Sequence, residues 1–460
     1  MVDTDSRTRL KQWLESGEAR LHPLSFPQRE LWENSPVAVD DCANHICAFL
    51  EIKGALTQEE GHAAIERVVD RHEVMRLSIL PGKERPLQMV RSSGTPAFAY
   101  RELSAAEARP EALEEAMQPV FRQPFDLLQG PLYRIDMMRR GPSDHVLVFA
   151  IHHAIADGWS LGVFVEDLAT AYVMGLAATH PARSSLPGRP DGLRPVPQTH
   201  SAWAAAERAF WSADELAKRT EFWSSQLAGS QPVWAGHDQS ARGAGPLHRW
   251  VCALPPAPTR AIREVASRHG ATLFSTLLAA FRLALWKWAG CADLVVGTPV
   301  ANRNREVVRQ TMGYFAGIVP IRGQVDPARS FPDHLRTTHA TAVDCFAHAM
   351  PFAEIARVMN ASSSPGRHSL FDVRFALQNH PVPDIDLPRL STRMNMRSTG
   401  TARFDLGCEI TESGDELEVV WLYRQSMFSA SDLAGLDRLF QDTVQRIGRN
   451  PDQRSDAIVP

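Results

Sequence analysis

The chain reads as an α/β protein of two lobes. Strand-like apolar runs alternate with helix-periodic ones along the whole length. At 460 residues the chain is too long for one ordinary core. One aperiodic stretch, residues 179–198, is rich in Pro, Gly, Ser and Arg and divides two halves of similar complexity.

Taken in order, Glu59–Arg71 is helix-like, and the unbroken apolar run Val146–Ile151 looks like a buried strand. Leu161, Phe164, Val165 and Leu168 then recur at helical spacing. After the linker, Pro258–His269 reads as helix, Leu294–Val296 and Leu417–Leu422 as strands, and Ser431–Ile447 as helix. No internal repeat, low-complexity tract or long charge run interrupts this order.

The densest chemistry lies between that first strand and the helix after it. His152-His153-Ala154-Ile155-Ala156-Asp157-Gly158 reads HHxxxDG. Neighbouring residues in an extended segment point opposite ways, so the two histidines take different roles. One faces a cavity and one is held by packing. A neutral imidazole, with a reference pKa of about 6.5, takes a proton from an amine or hydroxyl near neutrality. Gly158 permits close backbone approach and offers an N–H to a developing oxyanion. Asp157 sits near a helix start, where a carboxylate is favoured, and suits a buried arginine. Two core histidines satisfied by backbone carbonyls are the plainer alternative. A His-His-Asp metal site is disfavoured, because adjacent ligands diverge and no other ligand pair supports it.

Composition sets limits. Hydrophobic content of 44% and charged content of 22% fit a soluble globular protein. A net charge of −4 argues against nucleic acid or an anionic membrane as partner. No apolar run reads as a membrane span, and the first residues lack a signal-peptide core. The six cysteines (42, 47, 252, 291, 345, 408) show no CxxC or framework spacing, so reduced thiols and a cytoplasmic location are expected.

In its HHxxxDG stretch the chain resembles the condensation domains of nonribosomal peptide synthetases. They belong to the wider chloramphenicol-acetyltransferase-like superfamily, which carries HxxxD. Further motifs follow in the family's order. Leu24–Trp32 resembles LSxAQxRLW, and Arg71–Arg76 resembles RHExLR. Ser201–Trp203 through Phe222–Trp223 resembles the helical opening of the second lobe. Gly297–Pro299 with Arg303 resembles GxPxxxR, and Met312–Arg322 resembles GFFVNTLPLR. Pro351–Phe352 and Leu370–Val373 resemble the last two motifs. The chain departs from the family at Gly317, where Asn is usual. Gly there removes two donors and an acceptor and opens space. Pro27 and Thr199 are smaller departures.

The resemblance implies two acetyltransferase-like lobes in a V-shaped pseudo-dimer, with the active site in a tunnel between them. The first lobe would cover 1–178 and the second 199–460, with bridging segments near 296–312 and 380–405. It implies transfer of an acyl or peptidyl group from a phosphopantetheine thioester to an amine or hydroxyl. The phosphopantetheine arm comes with an acyl or peptidyl carrier protein, and the chain itself binds no cofactor. The acceptor is a small molecule or carrier-bound. His153 is the reacting group, helped by Asp157 and Gly158. His152 is structural, and Arg303 pairs with Asp157. Trp159, Ser160 and Gly317 are expected along the substrate channel. Arg71 and Arg76, beside a helix end, suit a structural role. A chain that opens at Met and stops soon after the last motif is expected to be free-standing. An acyl-CoA-dependent alcohol or amine acyltransferase of the same fold and a non-catalytic recruitment domain are the alternatives.

Overall fold

The computed structural model describes residues 4–34, 42, 44–82, 85–179, 192–235, 247–361, 370–378, 386–397 and 404–460. Much of the proposed linker, 180–191, and parts of the 380–405 bridge lie outside the described residues. The chain divides into two compact units. The first comprises Met1–Phe210, Ala301–Ala316 and His380–Thr399; the second comprises Trp211–Val300, Gly317–Asn379 and Gly400–Pro460.

The chain opens with helix α1 (Thr4–Ser16), strand β1 (Ala19–Pro23), α2 (Phe26–Asn34), β2 (His45–Lys53) and α3 (Gln58–Arg71). Thr57 starts α3 with a capping box. Its hydroxyl accepts from the Glu60 N–H, and the Glu60 carboxylate accepts from the Thr57 N–H. Then come β3 (Leu77–Leu80), β4 (Leu87–Arg91), β5 (Phe98–Glu102), α4 (Pro110–Arg122), β6 (Tyr133–Gly141), β7 (Asp144–His152), α5 (Gly158–Thr179) and α6 (His200–Phe210). In the second unit follow α7 (Ala213–Gln226), β8 (Leu247–Leu254), α8 (Pro256–Arg268), α9 (Leu273–Ala289), β9 (Asp293–Val300), β10 (Gly317–Gln324), α10 (Phe331–Ala347), α11 (Phe352–Val358) and β11 (Val373–Gln378). Strands β12 (Asp386–Leu387) and β13 (Leu390–Arg397) belong to the first unit; β14 (Leu406–Ser413), β15 (Glu416–Arg424) and α12 (Ala430–Arg449) to the second.

The first unit's main sheet runs β12-β13-β2-β7-β6-β5. Strand β7 is central, and eight of its nine residues are buried. That explains an apolar run without alternation, since both faces are covered. The second unit's sheet runs β10-β9-β11-β14-β15-β8. Its core gathers α8, α9 and α12 around Phe281, Phe375, Trp421 and Phe440. Gly297 in β9 is needed for packing: a Cβ there would lie 2.2 Å from the Phe371 ring. Each helix and strand placed by periodicity exists. Most of their ends lie one to four residues beyond the predicted ones, because terminal residues carry little apolar signal; α3 ends at the predicted Arg71 and α8 one residue short of His269.

Two expectations need correction. Helix α6 belongs to the first unit, so the second begins at 211 and not at 199. Contacts invisible in composition hold it there. Its Ser201 N–H donates to Glu73, its Glu207 carboxylate accepts from the Phe26 N–H, and its Arg208 donates to the Leu24 carbonyl. Second, Gly158–Ala178 is long and apolar enough to cross a membrane. It is instead the core helix of the first unit, packed along α3, with Asp167 paired to Arg71 and His72. None of the six cysteines is in a disulfide.

Candidate active site

Strand β7 ends at His152, directly opposite His45 on β2. His152 is 5% exposed and packs with Phe125 and His45, each at a ring separation of 6.0 Å. Its Nδ1 accepts from the Ala154 N–H at 3.1 Å, so its ring proton sits on Nε2. His153 turns the other way and is half-buried, 5.4 Å from the Tyr314 ring. The His153 N–H donates to the Asn44 carbonyl at 2.7 Å. Its Nδ1 lies 3.1 Å from the Ala156 carbonyl. A carbonyl only accepts, so Nδ1 carries the proton and Nε2 holds the lone pair. The turn thus fixes opposite tautomers on adjacent histidines.

Asp157 closes the turn and is 2% exposed. Its Oδ1 accepts from the Ser160 N–H at 2.9 Å, three residues on, as an N-cap does. The same oxygen takes the Ser160 hydroxyl at 2.8 Å and Arg303 at 3.0 Å. Oδ2 accepts from the Phe315 N–H at 3.1 Å. Burial pushes the Asp157 carboxyl up, but the Arg303 charge and the Ser160 donors overrule it. The net result lies below the usual carboxylate range. Both oxygens are committed and enclosed, so Asp157 holds the turn in place.

Arg303 is the counterpart, 3% exposed. Only one of its nitrogens reaches Asp157; the other donates to the Val308 and Thr311 carbonyls, both at 2.7 Å. The pair is therefore single-pronged, not a two-pronged fork, because the second nitrogen shapes the loop after Arg303. The guanidinium also lies 4.0 Å over the Phe315 ring. The rest of this segment is fastened too. The Trp159 indole N–H donates to the Arg309 carbonyl at 2.9 Å. The Met312 N–H donates to His72 Nδ1 at 3.3 Å and the Gly313 N–H to the Ser160 hydroxyl at 3.1 Å.

These bonds change the assignment of Ser160. Ser160 is fully buried and is a hub between Asp157, Arg303 and Gly313, so it cannot line a channel. Trp159 is half-buried and anchors residue 309. Gly317 begins β10 opposite Val300 and belongs to the other unit. Gly158 is the first residue of α5, where backbone N–H groups lack intrahelical acceptors.

Sequence reasoning missed several supports. The buried Gln28 side chain donates to the Ala154 carbonyl at 2.9 Å and holds the turn from α2. His72, in the RHE stretch, bonds Asp167 at 2.6 Å, and Arg71 pairs with the same carboxylate. Arg76 donates to the Val69 and Asp70 carbonyls at the end of α3, the structural role expected of it. His200 is fully buried between Trp203 and Phe315, with Nε2 donating to the Tyr314 carbonyl at 3.2 Å. Burial holds it down at about 4. Asp167 carried one weak signal, a charged residue in an apolar helical stretch. Among the described residues no three His, Cys, Asp or Glu side chains form a metal-ligand set.

A family model described as the condensation domain matches residues 18–459. The chain belongs to the condensation-domain family. It is 28% identical over 451 residues to one of the linear gramicidin synthase polypeptides of Brevibacillus parabrevis, covering 94% of this chain and 8% of that one. It is 29% identical over 415 residues to the phosphinothricin tripeptide synthetase PhsC of Streptomyces viridochromogenes, covering 88% and 37%. The condensation domain thus spans a minor part of these curated relatives. Among solved structures, the X-domain from teicoplanin biosynthesis superposes with a TM-score of 0.82 at 20% identity, covering 95% of this chain and 97% of that one. The first condensation domain of the CDA synthetase gives 0.75 at 20% identity, covering 96% and 99%. These likenesses show the acetyltransferase-like fold.

Proposed function

We propose that this condensation domain moves an acyl or peptidyl group from a carrier-protein phosphopantetheine thioester to an amine or hydroxyl, forming an amide or ester. The observation that carries the reading is the clamped tautomer of His153. With its Nδ1 proton held by the Ala156 carbonyl, Nε2 is ready to accept a proton without a ring flip. As the acceptor nitrogen or oxygen attacks the thioester carbon, its proton passes to Nε2. The tetrahedral oxyanion is stabilised by backbone N–H groups of the first turn of α5, Gly158 foremost. Collapse expels the pantetheine sulfur, which takes the proton back from Nε2. His152 supports the strand end, and Asp157 with Arg303 holds the turn rigid. The pantetheine arm belongs to the carrier, and the reaction runs in the cytoplasm. A small soluble acceptor, with release of the chain as ester or amide, is the form we favour. The motif histidines stand intact, and Gly317 leaves space where the family usually carries an amide side chain.

The test is intact-mass analysis of an acyl-loaded carrier incubated with the protein and a panel of amines and hydroxy acids. Loss of the acyl mass with a matching amide or ester supports the reading. Binding of the carrier without any mass change would mean a recruitment domain, and turnover of acyl-CoA alone would mean a different donor. A hydroxyl gains more than an amine from a base in reach. His153→Ala should therefore abolish ester formation while an amine analogue keeps measurable turnover. Equal loss with both would give His153 an orienting role.

A further inference from the structure

The first unit carries a small sheet besides its main one, in the order β1-β4-β3. Where β1 meets α6 this sheet borders a cleft of about 500 Å³. Arg20 and His22 of β1, Arg91 at the end of β4, Arg76 and Glu73 line it, with Ser201 and Ala205 of α6. Positions 20 and 22 fall on one face of β1, about 7 Å apart. The cleft thus gathers three guanidinium groups and an imidazole. None of the histidine-turn residues is among its walls.

These cations are not neutralised by the fold. The chain has more acidic than basic side chains, 53 against 49. Arg29, Arg139 and Arg263 accordingly pair with Glu33, Glu102 and Glu412. Among the described residues, none of the three arginines of the cleft pairs with a carboxylate, and the Arg20 and His22 side chains have no hydrogen-bond partner. Two of the arginines are nonetheless held in place. Arg76 donates from Nε to the Arg91 carbonyl at 3.0 Å and from Nη1 to the Val69 and Asp70 carbonyls, which leaves Nη2 unused. The Arg91 guanidinium lies 4.1 Å over the Trp13 ring, a stacking that leaves its N–H edge free. Glu73 is the one acid in the cleft. One of its oxygens takes the Ser201 N–H at 2.7 Å, and a single carboxylate does not offset three guanidinium groups. Like charges lining a concavity focus a positive potential there, which favours an anion of matching charge.

We propose that this cleft binds a linked di- or triphosphate. A planar guanidinium takes phosphate oxygens two at a time, and free N–H groups remain on all three arginines. A single phosphate has too little charge and too little bulk for a cleft of this size. The same chemistry has two sources, inorganic pyrophosphate and an organic diphosphate. The second Glu73 oxygen would accept from a hydroxyl or amine on the organic part. The site is separate from the histidine turn and does not depend on the acyl-transfer reading.

Calorimetric titration of the full chain with pyrophosphate, ADP and inorganic phosphate at one ionic strength tests it. Saturable binding of pyrophosphate and ADP is expected, with inorganic phosphate at least roughly tenfold weaker. Arg20→Ala removes a charged donor from an exposed strand position and should weaken diphosphate binding about tenfold. Ala205→Glu places a carboxylate in the cleft from an exposed helix position where Glu is well tolerated, and should abolish binding. Melting curves like that of the unaltered chain would show that both variants fold. Arg263→Ala, in the second unit, should bind as the unaltered chain does. Tighter binding of ADP than of pyrophosphate supports the organic source, and equal binding supports the phosphate chain alone. Absence of saturable binding of either diphosphate would overturn the proposal. So would binding that Arg20→Ala or Ala205→Glu leaves unchanged, or inorganic phosphate binding as tightly as pyrophosphate. Equal weakening by Arg263→Ala and Arg20→Ala would also overturn it, since that is diffuse charge attraction and not a site.

Discussion

Replacing Arg303 by Met tests how the histidine turn is held. The substitution keeps most of the volume and removes the charge facing Asp157. Breaking a buried ion pair from one side costs about 3–5 kcal/mol. Here Asp157 keeps three donors, the Ser160 N–H, the Ser160 hydroxyl and the Phe315 N–H, which argues for the lower end. Against that, the Val308 and Thr311 carbonyls lose their guanidinium donor, at about 1 kcal/mol each. The net expectation stays near ~4 kcal/mol. For a unit of this size that is a fall of roughly 8–16 °C in melting temperature. Asp157→Asn should cost a similar amount, and the double variant clearly less than the sum. The sign of the pH dependence should also reverse. In the native chain Asp157 lies below its ordinary value. Its stabilisation is therefore present above about pH 4 and lost as the pH falls through the folded value. Without Arg303 burial dominates, the carboxyl moves up, and the variant should gain stability on mild acidification. Denaturant melts of the four proteins across pH would decide the matter. Additive losses within about 0.5 kcal/mol would refute a coupled pair.

Three further outcomes are expected. His153→Ala should lose most turnover with little change in melting temperature, whereas His152→Ala, removing a buried ring from the His45–Phe125 cluster, should mainly lower stability; the two read together in activity and melting assays would expose a reversed assignment. His200 binds its proton at about 4 in the fold against about 6.5 when unfolded, so the unfolded chain takes up more protons across that window and stability should fall by about 3 kcal/mol as pH drops from 6.5 to 4; His200→Gln should flatten that slope in pH-dependent melts. Gly313→Ala would bring a Cβ within 2.3 Å of the buried His200 ring, and the overpacking should cost about 1–3 kcal/mol or more and reduce activity through the displaced segment, which a wild-type melting curve for the variant would contradict.

Periodicity was a good guide wherever burial was one-sided or complete. Strand β7, α3 and α12 show it: each has a continuous or helically spaced apolar set, and each lies within two residues of where the pattern puts it. Boundaries between units were not legible in this way. The composition change at 179–198 does not mark the boundary, because α6 stays with the first unit through Glu73, Phe26 and Leu24, contacts spanning more than a hundred residues. The HHxxxDG turn was legible because its chemistry is local. Divergence of the histidines follows from strand geometry, and the Asp157 cap from its place before a helix. The role of Ser160 was not legible. A serine in the first turn of a helix is ordinary, and only the arrival of Arg303 and Gly313 from the second half of the chain makes it a junction. The same holds for the apolar helix α5. Read alone it passes for a membrane span, and Asp167 makes sense only once Arg71 and His72 are beside it.

The first unit is assembled from pieces that emerge at very different times during synthesis. When Phe210 has left the ribosome, Asp157 still lacks the arginine that faces it, and β2 still presents an open edge where β13 will pair. At ordinary elongation rates of about 5–20 residues per second, Arg303 follows some 5–20 s later and β13 roughly 10–40 s later. For that interval the nascent chain carries a buried-type carboxylate without its counter-charge and an unpaired, largely apolar strand, a template for pairing with other chains. The histidine turn therefore completes only after a large part of the second unit has been made. A shortened chain ending near residue 210 should be insoluble, however complete its HHxxxDG stretch looks.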